Sequence, residues 1–188
     1  MAAPTKVLVV GDSLSAEYGI TRGSGWVALL EQRLQRERVG ATVVNASISG
    51  DTTSGGRTRL PALLAQHKPT HVVIELGSND ALRGLPLAMT RENLAVMVRA
   101  ARDVGAQVLL VGMRMPPNYG RAYTEEFASL FGALAKAEGA ALVPFMLAGV
   151  ADSADAGLFQ DDRLHPTAKA QPIIFDNVWP VLRTQLRP

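Results

Sequence analysis

Lys6-Val7-Leu8-Val9-Val10 runs directly into Gly11-Asp12-Ser13-Leu14-Ser15. The first half is short, rich in β-branched residues and apolar throughout rather than alternating. That is the pattern of a parallel strand buried on both faces. The second half is polar and turn-forming, so the strand ends at the glycine. Four further runs share the character of the first: Thr42–Asn45, His71–Leu76, Gln107–Val111 and Ala141–Phe145. Helical patterns separate and follow them near 25–38, 53–66, 90–104, 121–138 and 167–184. Leu94, Val98 and Ala101, and again Phe127, Leu130, Phe131 and Leu134, recur at helical spacing and mark core-facing stripes. Pro61 lies inside a helical pattern and is expected to kink that helix or mark its edge.

Regular strand–helix alternation predicts an α/β fold. The expected form is a three-layer α/β/α sandwich around a five-stranded parallel sheet. Right-handed crossovers and five strands favour the flavodoxin-like order 2-1-3-4-5. No repeat, low-complexity tract or linker interrupts the chain, so residues 1–188 read as one domain.

Composition narrows the function classes. Apolar residues make up 47% and charged residues 19%, as in an ordinary globular chain. Nineteen Lys and Arg nearly balance seventeen Asp and Glu, for a net charge of +2. Arg33, Arg36 and Arg38 form the densest basic run, but Glu31, Gln32 and Glu37 are interspersed. That is a solvated helix face, not a nucleic-acid footprint, and no nucleic-acid partner is expected. The chain has no cysteine, which excludes disulfides, thiolate catalysis and cysteine-ligated metals. No apolar run approaches the ~20 residues of a membrane span, so no stable membrane insertion is expected. Met1-Ala2-Ala3-Pro4-Thr5-Lys6 leads into an apolar run too short for a signal peptide. Two readings stay open: a cytoplasmic protein, or a periplasmic or secreted one whose leader has been replaced by a new methionine. Composition is silent on oligomeric state.

Open parallel sheets bind ligands beyond the carboxyl ends of their strands. There the sequence places Gly11-Asp12-Ser13-Leu14-Ser15, Ser47-Ile48-Ser49-Gly50-Asp51-Thr52, Gly77-Ser78-Asn79-Asp80, Gly112-Met113-Arg114-Met115-Pro116-Pro117-Asn118-Tyr119-Gly120, and Gln160-Asp161-Asp162-Arg163-Leu164-His165-Pro166. In the predicted order the first strand lies between the second and third, so Ser13, Gly50 and Asn79 converge. Of three histidines, His67 ends a helix and His71 opens a strand at the wrong end of the sheet. His165 alone follows a long loop, and Asp162 precedes it by three residues.

A serine hydroxyl needs a hydrogen-bonded base to become a nucleophile. A neutral imidazole can take its proton and later return it to the leaving group. A carboxylate on the other ring nitrogen fixes the tautomer. Ser13, His165 and Asp162 fit these roles; Asp161 is the alternative carboxylate, and the i−3 spacing favours Asp162. Backbone N–H groups of Ser13 and Gly50 and the side-chain amide of Asn79 are the candidate oxyanion donors. The fifth strand lies three strand spacings from the first, roughly 14 Å at about 4.8 Å each. Residues 150–162 are long enough to carry His165 back across. Each block alone also reads as structure: Asp12-Ser13 as a turn, Gly77-Ser78-Asn79-Asp80 as a turn with a helix cap, Asp51 or Thr52 as another cap. Their occurrence together, in order at successive strand ends, carries the functional reading.

Gly11-Asp12-Ser13-Leu14-Ser15 resembles the first block of the SGNH, or GDSL, hydrolases, and Gly50, Asn79 and His165 match the other letters of that name. The likeness spans residue 7 to about 180. It is nearest to the bacterial thioesterase I, lysophospholipase and arylesterase branch, through Ser47–Thr53, Leu60–Leu64, Met115–Arg121, Gln160-Asp161-Asp162 and Ala170-Gln171-Pro172. The resemblance implies hydrolysis of acyl esters and thioesters through an acyl-serine intermediate, with neither metal nor organic cofactor. It implies a Ser13–His165–Asp162 triad and oxyanion donors from Ser13, Gly50 and Asn79. Members of the branch are often exported. Two positions depart from it: Ser78 stands where Gly or Thr is common, and Arg163 where Gly is common. The apolar 113–120 loop and residues near Leu82–Leu85 are the expected acyl pocket, with Met113, Met115, Pro116, Tyr119 and Leu82 as substrate-binding candidates. Two other enzyme or non-enzyme readings share the fold: a carbohydrate acetyl esterase, and a non-catalytic signalling or binding module. The signalling reading needs clustered acids after strand one, which supplies only Asp12, an Asp ending strand three, which ends at Leu76-Gly77, and a Lys after strand five, where none comes before Lys169.

Overall fold

The computed structural model describes residues 4–186. Five parallel strands form one sheet in the order β2-β1-β3-β4-β5: β1 (Thr5–Gly11), β2 (Ala41–Asn45), β3 (His71–Glu75), β4 (Gln107–Val111) and β5 (Ala141–Val143). Six helices connect and cover them: α1 (Trp26–Arg36), α2 (Thr53–His67), α3 (Ser78–Leu82), α4 (Leu87–Asp103), α5 (Arg121–Glu138) and α6 (Gln171–Leu186). α1 packs against α6, and α4 packs between α2 and α5. Helices thus lie on both sides of the sheet, as the strand–helix alternation predicts.

Uniformly apolar strands occupy the middle of the sheet for a simple reason. Val7, Leu8, Val9 and Val10 have helices on both sides and no exposed surface. Each such side chain contributes about 1.5–3 kcal/mol relative to an exposed one. Register places Val7 beside Val43 on one flank and beside His71 on the other, and brings Gly11 level with Glu75. All five strand ends therefore point the same way, and the loops after them gather on one face.

Several boundaries differ from the sequence reading. β5 stops at Val143: the Gly112 carbonyl, which Phe145 N–H would meet in a continued parallel ladder, accepts instead from Met146 N–H at 2.9 Å. α2 runs through Pro61 rather than ending there. The carbonyl that loses its partner belongs to Arg57, and both residues face solvent, which can replace the missing bond. The stretch Ser78–Leu82 forms a short helix where the sequence suggests a turn. A 3-10 turn, Ala168–Ala170, precedes α6, which begins at Gln171.

Long-range polar contacts close the helix ends. The Gln171 side chain accepts from Trp26 N–H at 3.0 Å, capping α1 across the fold. Asp80 does the same for α2, accepting from Thr53 N–H at 2.8 Å and from the Thr53 hydroxyl at 2.5 Å.

Candidate active site

The chain leaves β1 through a tight turn in which Ser15 and Ala16 N–H both donate to the Asp12 carbonyl, at 3.1 and 2.9 Å. Asp12 Oδ1 accepts from Leu14 N–H at 3.0 Å, which holds Ser13 at the crest of the turn. The Ser13 hydroxyl lies 2.9 Å from His165 Nε2. On the other side of the ring, His165 Nδ1 lies 2.6 Å from Asp162 Oδ2. Asp162 Oδ1 also accepts from Leu164 and His165 N–H, both at 2.9 Å. These bonds, led by the His165 backbone N–H, hold the Asp162 carboxyl down at about 2. With Asp162 ionised, Nδ1–H donates to it, and Nε2 is left to accept from the Ser13 hydroxyl. Of the two adjacent acids, Asp162 meets the ring.

The segment after β5 reaches back across the sheet by folding on itself. Gln160 N–H donates to the His165 carbonyl at 2.8 Å, and Thr167 N–H to the Leu158 carbonyl at 2.9 Å. The Gln160 side-chain amide then donates to the Tyr18 carbonyl at 2.9 Å and the Pro166 carbonyl at 3.0 Å. This stitches the histidine loop to the serine loop. Gly19 permits the contact: it has φ +70°, and a Cβ there would lie 2.1 Å from the Gln160 side-chain oxygen. The Tyr18 ring rests against His165 with centroids 4.3 Å apart. Arg163 sits between Asp162 and the histidine at φ +56°, in the left-handed region that favours glycine.

Gly50 and Asn79 stand on the two neighbouring loops. Ile48 N–H donates to the Gly11 carbonyl at 3.0 Å, docking the β2 loop beside the serine turn. Gly50 has φ +80° and open space where a Cβ would go, so backbone conformation, not crowding, favours glycine here. Asn79 lies in the first turn of α3, and its Nδ2 donates to the Asp51 carbonyl at 2.9 Å and to Asp12 Oδ2 at 3.3 Å. Arg59 adds a clamp from α2, donating to Asp51 Oδ2 at 2.8 Å and to the carbonyls of Ala46 and Gly11. Helical patterning gave no sign of that role, because the arginine's partners lie on loops outside the helix, and one of them, Gly11, is 48 residues away.

Ser13, Gly50, Asn79 and His165 line one cleft of about 680 Å³. Its apolar wall includes Leu82, Met113, Met115 and Pro116, as the sequence suggests. Phe145 and Leu147, beyond β5, also line it and were not anticipated. Tyr119 is a correction. It closes a 3-10 turn started by Pro117, is 40% exposed and stands outside the cleft lining. Leu85 also lies off the lining; its carbonyl accepts from the Tyr123 hydroxyl at 2.8 Å. Arg114 and Arg163 bring positive charge to the cleft, and the Arg114 guanidinium sits 4.9 Å from the centre of the Phe145 ring. Among the described residues, no group of three or more His, Asp or Glu is placed to hold a metal ion. The arrangement can deprotonate a serine, present it to an acyl carbon and receive an apolar chain beside it.

Comparison with known proteins points the same way. Residues 9–172 match the model of the GDSL-like Lipase/Acylhydrolase family. The chain is 54% identical to Esterase TesA of Pseudomonas aeruginosa, over 98% of its own length and 91% of the relative's. It is 42% identical to Thioesterase 1/protease 1/lysophospholipase L1 of Escherichia coli K12, over 100% of this chain and 86% of that one. A crystal structure of TesA superposes with a TM-score of 0.93 at 53% identity, covering 97% of this chain and 100% of the other.

Proposed function

This chain belongs to the GDSL-like lipase/acylhydrolase family, and on that premise we propose that it hydrolyses carboxylic esters and thioesters through an acyl-serine formed on Ser13. One observation carries the residue roles: the unbroken line from Ser13 Oγ through His165 to Asp162, at 2.9 and 2.6 Å, opening on an apolar cleft.

His165 Nε2 takes the Ser13 proton as Oγ attacks the acyl carbon. Asp162, already ionised, stabilises the imidazolium and holds its orientation. The developing oxyanion meets the N–H groups of Ser13 and Gly50 and the Asn79 amide. His165 then gives its proton to the departing alkoxide or thiolate. Water, activated by the same imidazole, attacks the acyl-serine and releases the acid. The bonds of the Asn79 amide to Asp12 and to the Asp51 carbonyl hold it beside Ser13, where an oxyanion can share its hydrogens.

The apolar wall accommodates an acyl chain longer than acetyl. Ser13→Ala should abolish turnover of p-nitrophenyl butyrate and labelling by a fluorophosphonate, while the wild type does both. Turnover retained by the variant removes the serine mechanism. A strict preference for acetyl over butyryl esters in the wild type would favour a carbohydrate acetyl esterase instead.

A further inference from the structure

Two buried carboxyl groups meet directly beneath the nucleophile turn. Glu75 ends β3 with no exposed surface, and Asp12, one residue past β1, is 1% exposed. Gly11, level with Glu75, leaves room for the Glu75–Ser15 pair: a Cβ there would lie 2.9 Å from both Glu75 Oε1 and Ser15 Oγ. The surrounding hydrogen bonds have a fixed direction. Trp26 Nε1–H donates to Ser15 Oγ at 3.1 Å, since an indole can only donate. Ser15 then spends its single hydrogen on Glu75 Oε1, at 2.6 Å. Glu75 Oε2 has no donor to accept from.

Asp12, by contrast, accepts on both oxygens, from Leu14 N–H on Oδ1 and from Asn79 Nδ2 on Oδ2. Asp12 follows Gly11, which is level with Glu75, so the two carboxyls are neighbours, and each acts on the other's charge. Two carboxylates cannot bond to one another without a proton between them. A proton on Glu75 Oε2, donated to Asp12, is the placement that occupies the orphaned oxygen and leaves Asp12 an acceptor everywhere else.

We propose that Glu75 is a positioning residue that stays protonated in the folded protein and donates to Asp12, keeping Asp12 as the one anion that orients the Leu14 N–H and the Asn79 amide beside Ser13. Electrostatics agrees with the geometry. Burial, and then the charge of Asp12, pushes the Glu75 carboxyl well above the ordinary glutamate range, whereas burial raises Asp12 only to about 6, which leaves it the anion of the pair near pH 8. The other titratable groups that act on the pair through Asp12 are His165, which favours its charge, and Asp51, which opposes it. If Glu75 lost its proton, two neighbouring buried negative charges would repel each other. Asp12 would be driven off the bonds that set the Asn79 amide. The catalytic half of this inference rests on the reading of Asn79 as an oxyanion donor; the protonation half does not.

Glu75→Gln keeps the pattern, because the amide N–H₂ can donate to Asp12 and its oxygen can accept from Ser15. Glu75→Ala removes both. The first readout is the infrared spectrum near pH 8, where unperturbed carboxyls are ionised. The wild type should show the C=O stretch of a protonated carboxylic acid, and Glu75→Gln should lack it. A wild type with carboxylate bands alone overturns the proposal whether or not the protein is a hydrolase. The second is turnover: Glu75→Gln should keep kcat within about threefold, while Glu75→Ala should lose about tenfold or more in kcat with little change in KM. A folded glutamine variant as slow as the alanine variant overturns the positioning role.

The third is stability against pH. A carboxyl raised on folding takes up a proton as the chain folds, so wild-type stability falls as pH rises from the unfolded value towards the folded one. The glutamine variant lacks that loss. Its Tm relative to wild type should therefore climb between about pH 5 and pH 9. A difference that stays flat across that range overturns the proposal.

Discussion

His165 and His71 stand at opposite ends of the same parallel sheet. His71 opens β3 and is 7% exposed; its Nε2 bonds to the Gln185 carbonyl at 3.1 Å and its Nδ1 to the Thr70 hydroxyl at 2.8 Å. The Gln185 amide in turn donates to the Val108 carbonyl at 3.1 Å. That end of the sheet is closed: ring nitrogens and backbone groups bond each other, and α6 is tied to β3 and β4. His165 has the same ring, but its partners are an ionised carboxylate and a hydroxyl facing a cleft. The imidazole is chemically identical in both places. What differs is whether its neighbours can take or give a proton during a reaction.

The strongest way to break this comparison is to give His165 partners like those of His71. Asp162→Asn should lower kcat by about 10⁴-fold with the fold intact, because an amide can donate to Nδ1 and favours the wrong tautomer. A loss under about tenfold, in steady-state ester hydrolysis, would show that the carboxylate does not set the ring. Asn79→Ala comes next. Removing one oxyanion donor should cost about 10²–10³ in kcat, and pre-steady-state acylation would locate the loss. An undiminished acylation rate would remove Asn79 from the oxyanion site. His71→Ala should give the smallest effect on turnover. With two hydrogen bonds lost, to the Thr70 hydroxyl and the Gln185 carbonyl, it should cost about 1–3 kcal/mol in denaturant unfolding while kcat holds within about twofold. A large fall in kcat at unchanged stability would mean the two ends of the sheet are coupled.

The acid groups make a second contrast. Asp162 is solvent-facing and held down by three hydrogen bonds, so it stays charged below the ordinary aspartate range. Glu75 is buried with one oxygen unpartnered and held up. The same functional group serves once as a fixed charge and once as a fixed proton donor, according to its solvation and its partners.

Much of the scaffold was legible along the chain. Apolar, β-branched runs marked the five strands, since central strands of a parallel sheet are buried on both faces and leave no alternation. Crossover handedness and strand number then gave the order β2-β1-β3-β4-β5. The loops holding Ser13, Gly50, Asn79 and His165 were legible as well, because each follows a strand end and the order brings the strands together. Tyr119 was misplaced for a local reason. It lies in a proline-initiated 3-10 turn outside the cleft lining, and an apolar residue in a loop carries no mark of which way it faces.

The sequence alone determined which segments become strands and which strand ends share a face, since periodicity and connection rules act over short stretches of chain. Only the tertiary structure decided which atoms meet there. Glu75 reads as the end of a strand, Arg59 as a helix surface, Gln171 as the start of a helix and Tyr18 as a loop aromatic. Their partners are Asp12, Asp51, Trp26 and His165, and only Asp51 lies within one helix length in sequence. A buried carboxyl's proton and a hydrogen bond's direction depend on those non-local neighbours and on the water they exclude, and no local pattern of residues records either.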